Sequence, residues 1–225
     1  MRLNLVFVLI LVPCSVFAQT VTQIDARGAE RPVGARQYVP CSGTTGNGII
    51  QSITAGPRIR VVVEVPEAVD QGKKMLYELT ITNLTAEDFV MPRSLKAAEV
   101  VMPQALEQEY KTAMVSFLLQ GPDSAQGVMP AGLMLYGSAS EPATVAVLKP
   151  GDSVRLSGTA AVAPQWATKV AGSVDTSLSA VLQMATVTDE LTAEPGCDGH
   201  DIETAEGPSF RSENAVAVKI RVPKS

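Results

Sequence analysis

Aromatic side chains are scarce in this sequence. They make up 4% of the 225 residues, and Trp166 is the only tryptophan. Proteins that bind single-stranded nucleic acid stack bases on exposed aromatic side chains, and sugar-binding surfaces use similar platforms. The net charge is −5, so no strong basic surface attracts phosphate or anionic lipid. The composition therefore argues against a nucleic-acid partner and favours protein partners.

Histidine is scarcer still, because His200 is the only one. A Ser-His-Asp or Cys-His apparatus would have to use it, and a zinc site built on several histidines is excluded. The sequence contains neither a GxSxG elbow nor an HExxH helix. No glycine-rich phosphate loop follows a strand. We therefore predict no catalytic residue, no cofactor and no metal site, and interpret the protein as a non-enzyme.

One acidic segment, from Asp189 to Gly207, keeps a metal site as an alternative. Carboxylates and an imidazole that can hold a cation cluster there: Asp198, His200, Asp201 and Glu203. The segment lacks the spacing and the central glycine of an EF-hand loop. A solvated acidic loop held by Cys197 is the favoured interpretation.

Three Met-Pro steps begin at Met91, Met102 and Met129, and Met134 lies nearby. Thioethers bind Cu(I), so this set raises the possibility of a copper site. Methionine also fills irregular gaps in hydrophobic cores, and this interpretation is favoured.

The N-terminus has the composition of a bacterial secretory signal peptide. Arg2 precedes an apolar run, and Val16 and Ala18 are small residues at the positions that a signal peptidase reads. The run is shorter than the roughly 20 residues of a membrane span. Acylation of Cys14 is an alternative, disfavoured by Pro13. We predict cleavage after Ala18 and a periplasmic or extracellular protein without a transmembrane segment.

Two cysteines, Cys41 and Cys197, remain after this cleavage. An even pair in an exported protein predicts a disulfide. The bridge would close a loop of about 157 residues (197 − 41 + 1), which the chain-entropy model values at roughly 5 kcal/mol.

The predicted organisation has three parts. Residues 1–18 are the signal peptide, residues 19–45 an extended N-terminal leader, and residues 46–225 a single β-sandwich domain. The leader carries Arg27, Arg31 and Arg36 among Gly, Ala and Pro without an apolar period. This composition is typical of a solvated tail, with docking to an acidic partner as the alternative.

The strongest structural signal runs from Arg58 to Leu84. Apolar residues alternate with polar ones along two segments, which predicts two strands with one face in the core. The buried positions are Ile59, Val61, Val63 and Val65 in the first strand and Met75, Tyr77, Leu79 and Ile81 in the second. Asn83 ends the second strand, because its side chain bonds nearby backbone. Asn83-Leu84-Thr85 matches a glycosylation acceptor but is interpreted as this turn.

Further strands are predicted at residues 89–92, 113–119, 132–136, 143–148, 153–162, 177–187 and 214–222. Pro150-Gly151 joins the strands at 143–148 and 153–162 into a hairpin. Residues 94–110 are expected to form a partly helical insertion that Pro103 interrupts. The fold class is therefore an all-β, immunoglobulin-like antiparallel sandwich of about eight to ten strands.

Two motifs carry a resemblance to a known family. The segment YELTITNLT from Tyr77 is followed by an apolar-Pro segment, and LKPGD from Leu148 precedes a later strand. This pattern resembles bacterial immunoglobulin-like domains and is similar in outline to the BsuPI-type proteinase-inhibitor domain. The resemblance covers roughly Arg58 to Val162. A long insert from Lys96 to Gln126 departs from that family's compact form.

We therefore expect an exported, non-catalytic binding or structural module. The first alternative is a proteinase inhibitor that presents the loop from Gly121 to Gly132. The second is a metal-binding protein or enzyme that uses residues 189–207.

The disulfide prediction is tested by intact mass. The mature protein is expected to begin at Gln19 and to gain no mass on alkylation unless it is first reduced. Substitution of Cys41 or Cys197 by Ser is expected to lower the free energy of unfolding by up to roughly 5 kcal/mol. Two alkylated cysteines without reductant would contradict the bridge.

Overall fold

The computed structural model describes residues 20–28, 58–95, 108–121, 126–162, 172–191 and 200–222. Twelve strands form within this part of the chain. They are β1 (Val21–Asp25), β2 (Ile59–Glu64), β3 (Ala68–Asp70), β4 (Lys74–Asn83), β5 (Phe89–Pro92), β6 (Gln108–Gln120), β7 (Gln126–Gly137), β8 (Val145–Leu148), β9 (Ser153–Ala161), β10 (Gly172–Leu191), β11 (His200–Arg211) and β12 (Val216–Val222). A short 3-10 helix, Pro142–Thr144, precedes β8.

Three sheets share one hydrophobic core, and the smallest of them, sheet C, consists of β5 paired with β8. The first, sheet A, has the order β1-β9-β4-β2, and the second, sheet B, has the order β3-β12-β10-β6-β7 with β11 beside β10. The rings of Tyr77 in sheet A and Phe117 in sheet B meet edge to face, with centroids 5.0 Å apart. The predicted all-β sandwich is therefore confirmed. No helix among the described residues is long and apolar enough to cross a bilayer.

The alternation predicted between Arg58 and Leu84 is confirmed. The predicted core positions Val61, Val63, Met75, Tyr77, Leu79 and Ile81 are buried, and Ile59 and Val65 are partly buried against the core. Leu76 of β4 lies on the other side of the strand and is 55% exposed. Strands β2 and β4 pair antiparallel from Ile59 opposite Asn83 to Glu64 opposite Glu78. The link between them is more than a turn, because β3 leaves to pair with β12 in sheet B.

Two edge pairs are parallel, where an antiparallel sandwich was expected. Strand β1 pairs parallel with β9, and β3 pairs parallel with β12. The prediction of a leader is wrong for Val21–Asp25, which form an edge strand of sheet A. Ile24 is buried in the core, and Thr20 extends the pairing by accepting a bond from the Ser153 N–H at 3.1 Å.

The predicted hairpin around Pro150-Gly151 is correct in its turn and wrong in its pairing. The Asp152 N–H bonds the Lys149 carbonyl at 2.9 Å, and Gly151 has a φ of 86°, which favours glycine. Strand β8 then pairs with β5, while β4 and β1 occupy both edges of β9. The turn therefore passes the chain from one sheet to another.

The helical insertion is not found where the chain is described. Ser94, at the start of the expected insertion, instead pairs with Tyr136 of β7 through two backbone hydrogen bonds of 3.0 and 2.8 Å. Strands β6 and β7 form a hairpin longer than predicted, because β6 begins at Gln108 and β7 extends from Gln126 to Gly137. Residues 96–107 lie outside the described ranges.

The amide of Asn83 is buried and makes four side-chain hydrogen bonds. Its Nδ2 donates to the carbonyls of Glu87 at 2.7 Å and Leu148 at 2.8 Å. Its Oδ1 accepts from the N–H and the hydroxyl of Thr85, at 2.9 and 2.7 Å. The side chain is 0% exposed, so it cannot carry a glycan in the folded protein, and the turn interpretation is confirmed.

Tyr77 lies over a glycine in the neighbouring strand. Gly158 is opposite Tyr77 in the register of β4 and β9, and a Cβ at this glycine would come within 2.9 Å of the ring carbon Cε1. The glycine therefore makes room for the ring. The hydroxyl of Tyr77 is buried without a hydrogen-bond partner among the described residues. Burial also raises the pKa of Tyr77 above its usual value of 10.0.

Replacing the buried amide side chain of Asn83 should destabilise the folded protein. Asn83→Ala is expected to lower the free energy of unfolding by about 2–4 kcal/mol, because two carbonyls and the Thr85 N–H lose their partner. Leu84→Ala is the control, since Leu84 is 47% exposed, and should cost less than about 0.5 kcal/mol. Urea denaturation measures both, and a loss below about 1 kcal/mol for Asn83→Ala would contradict the role given to the amide.

Tyr77→Phe should be neutral or stabilising by up to about 1 kcal/mol, because it removes an unpaired buried hydroxyl. It should also flatten the alkaline loss of stability. Above about pH 10 the unfolded state releases the Tyr77 proton while the folded state keeps it, so wild-type stability falls by up to about 1.4 kcal/mol per pH unit.

Gly158→Ala adds a methyl group at the contact with Tyr77. It should lower the free energy of unfolding by about 1–3 kcal/mol, because the contact becomes overpacked. Urea titrations at pH 8 and above pH 10 test both variants. If the free energy of unfolding of Tyr77→Phe falls as steeply above pH 10 as that of the wild type, the Tyr77 hydroxyl is not the source of the alkaline loss of stability.

Candidate functional site

Several residues singled out by the sequence lie outside the described ranges. These are Cys41, Cys197, Asp198 and the signal peptide, so the disulfide and the cleavage site remain predictions. His200, Asp201 and Glu203 lie within the described chain, at the start of β11.

The predicted acidic loop is largely a β-hairpin. Strand β10 continues to Leu191, and its register with β11 runs from Val181 opposite Arg211 to Leu191 opposite His200. The prediction of a loop is therefore wrong for residues 189–191 and 200–207, and residues 192–199 lie outside the described ranges. Where the chain is described, no three His, Cys, Asp or Glu residues come together to hold a metal ion.

The methionines of the Met-Pro steps are divided between core and surface. Met91 and Met129 are buried in the hydrophobic core, whereas Met134 is 40% exposed. Met102 lies outside the described ranges. The core-filling interpretation is confirmed for Met91 and Met129.

The outer face of sheet A carries charge that is balanced by ion pairs. Register places Asp25, Ser157, Glu78 and Glu64 in one cross-strand row. Arg155 pairs with Glu78 at 2.9 Å, and Arg27 pairs with Asp25 at 2.6 Å. The side chain of Arg27 also lowers the pKa of Asp25 to about 2 by hydrogen bonding to its carboxylate. These pairs are solvated, so this face has the character of an ordinary charged surface.

The free edge of β2 is closed by the turn between β11 and β12. The Asn214 side chain accepts from the Val63 N–H at 2.9 Å and donates to the Val63 carbonyl at 2.8 Å. The Glu213 N–H donates to the Val61 carbonyl at 2.8 Å. An amide side chain thus takes the place of a neighbouring strand, and this edge is not open to a partner's strand.

The outer face of sheet B differs from both of these surfaces. Three adjacent strands contain no charged residue across residues 112–120 of β6, 126–137 of β7 and 176–188 of β10. Apolar side chains lie on the outer side of these strands. We call this surface the uncharged face and define it by Met114, Leu118, Val128, Met134 and Val181.

Register brings the members of the uncharged face together. Val128 lies opposite Leu118, and Met134 lies opposite Met114. Val128 is 56% exposed and Met134 is 40% exposed. Because residues 113, 115, 117 and 119 of β6 point into the core, the intervening residues form a second apolar surface on the other side of the same sheet. Exposed apolar patches of this kind mark interaction sites.

Strand β7 forms the outer edge of this face. Its pairing with β6 is irregular between Met114 and Ser116, where three residues of β7 lie opposite Val115 alone. Pro130 occupies the edge strand and has no backbone N–H to offer. Both features discourage strand addition at this edge.

No family model, curated protein or solved structure matches this chain.

The uncharged face was not found from the sequence. Residues 113–119 were correctly predicted as a strand, but no exposed apolar surface was predicted on it. The available signal was the absence of charge over three strands combined with the apolar composition of both sides of β7. A strand of that composition at a sheet edge leaves apolar side chains in solvent.

Proposed function

We propose that this chain is an exported, non-catalytic binding module that docks a protein partner on the uncharged face. The observation that supports this is the exposure of Val128 and Met134 in a surface with no charged residue across three strands. Protein interfaces are depleted of charge at their centre and enriched in methionine. The uncharged face has both properties.

The proposal also accounts for the contrast between the two sheets. Sheet A presents paired charges to solvent, at Arg155 with Glu78 and at Arg27 with Asp25. Sheet B presents the apolar patch, so binding would use one side of the sandwich and leave the other solvated. Immunoglobulin-like sandwiches are a frequent scaffold for such surfaces. The immunoglobulin-like assignment and the periplasmic or extracellular location are parts of this proposal.

The inhibitor alternative loses much of its presented loop, because Gln126 to Gly132 lie within β7. The metal alternative loses most of its loop to the β10–β11 hairpin. No contact in the described chain favours either over the docking module.

The docking proposal is tested by one substitution on the face. Met134→Asp is expected to reduce capture of a partner from envelope extract by at least about thirtyfold in affinity, or about 2 kcal/mol, because binding would bury an unpaired carboxylate. Quantitative pull-down with the tagged chain, followed by titration of the captured protein, measures this.

Val147→Asp is the matched control, since Val147 is 53% exposed but lies in β8, away from the uncharged face. Both variants are expected to melt within a few degrees of wild type, because both positions are exposed. A partner that binds Met134→Asp as tightly as wild type would remove the uncharged face from the interface.

A further inference from the structure

A small cavity opens at one end of the uncharged face. It has a volume of about 240 Å³ and is lined by Leu118, Leu119, Gln126, Gly127, Val128 and Arg211. This is below the roughly 300–1,000 Å³ of sites for drug-sized molecules, so it fits a single chemical group or residue. Leu118 and Val128 supply an apolar wall, and they lie opposite each other in the β6–β7 register.

Among the described residues that line this cavity, Arg211 is the only charged one. Its guanidinium makes one hydrogen bond, from Nη2 to the hydroxyl of Ser179, at 3.3 Å. Within the described ranges, no carboxylate forms an ion pair with it. Arg155 and Arg221, by contrast, each pair with a carboxylate, at 2.9 and 2.7 Å. The remaining N–H donors of Arg211 are therefore available to a ligand.

An arginine beside an apolar wall selects for an anion that carries an apolar group. Guanidinium donors match the two oxygens of a carboxylate and bind it in bidentate fashion. The C-terminal residue of a polypeptide holds a carboxylate and a side chain on the same carbon atom. When that side chain is apolar, the two groups together match a cation and an apolar wall within one small cavity.

We propose that this cavity binds the C-terminal residue of the protein partner, an apolar residue with a free carboxylate. The carboxylate accepts hydrogen bonds from Arg211, and the side chain packs against Leu118 and Val128. This inference rests on the proposed docking function, because the cavity is continuous with the uncharged face. It adds the chemical identity of the group that anchors the partner.

The probe is an acetylated tetrapeptide of three alanines and a C-terminal valine, titrated into isotopically labelled protein. Amide and arginine side-chain NMR signals report binding. Saturable shifts are expected at Leu118, Val128 and Arg211. The same peptide with a C-terminal amide should bind about tenfold more weakly or worse, because it has lost the charge that Arg211 recognises.

Arg211→Gln should weaken binding of the free acid by the same factor and leave binding of the amide unchanged. Arg60→Gln is the matched control, since Arg60 is an exposed arginine of β2 in sheet A, and it should change neither. If Arg211 only supported the fold, Arg211→Gln would weaken binding of the acid and the amide alike. Loss of binding for the acid alone therefore identifies a direct contact with the carboxylate.

Three results would overturn the inference. The first is equal binding of acid and amide, and the second is the absence of saturable shifts. The third is tighter binding of octanoate than of the peptide at the same residues, which would identify a free fatty acid as the ligand. If the peptide fails while Met134→Asp still loses the partner, the docking function stands and only the anchoring residue is wrong.

Discussion

The buried amide of Asn83 is the constraint on which the arrangement of the sandwich depends. One side chain holds the end of β4, the turn at Glu87 and the carbonyl of Leu148 at the end of β8. The backbone of Asn83 also binds Gly151 and Asp152, in the turn that leads into β9. These bonds keep β8 away from β9. Both edges of β9 are then available, to β4 on one side and β1 on the other.

The sequence predicts a strand well where one face is core and the other is solvent. Strands β2 and β4 were found for this reason, since Leu79 and Ile81 lie between polar residues and Val61 and Val63 lie between Arg60 and Glu64. Strand β1 was missed because Ile24 is its only buried residue. Pairing was harder to predict than the strands themselves. The turn at Pro150-Gly151 is local, but the partners of β8 and β9 are chosen by tertiary bonds from Asn83, which no local pattern reveals.

The candidate site could not be predicted from the sequence for a related reason. An alternating pattern identifies the buried side of a strand only when the other side is polar. In β6, Met114 and Leu118 lie on the outer side while Phe117 lies in the core, so both sides look internal. Arg211 stands far from this strand in the sequence. It reaches the same cavity only because β11 joins the sheet beside β10.

Sheet A is closed by residues from both ends of the chain. Thr20 bonds to Asp152 across 132 residues, and Asn214 bonds to Val63 across 151 residues. Contacts of such long range slow folding, because each closes a large loop before any local contact compensates. All four strands of sheet A end by Ala161, but the edge of β2 stays uncovered until Glu213 and Asn214 have been synthesised. A nascent chain that lacks its last residues therefore presents an unpaired strand edge, the kind of surface at which other chains add strands and aggregate.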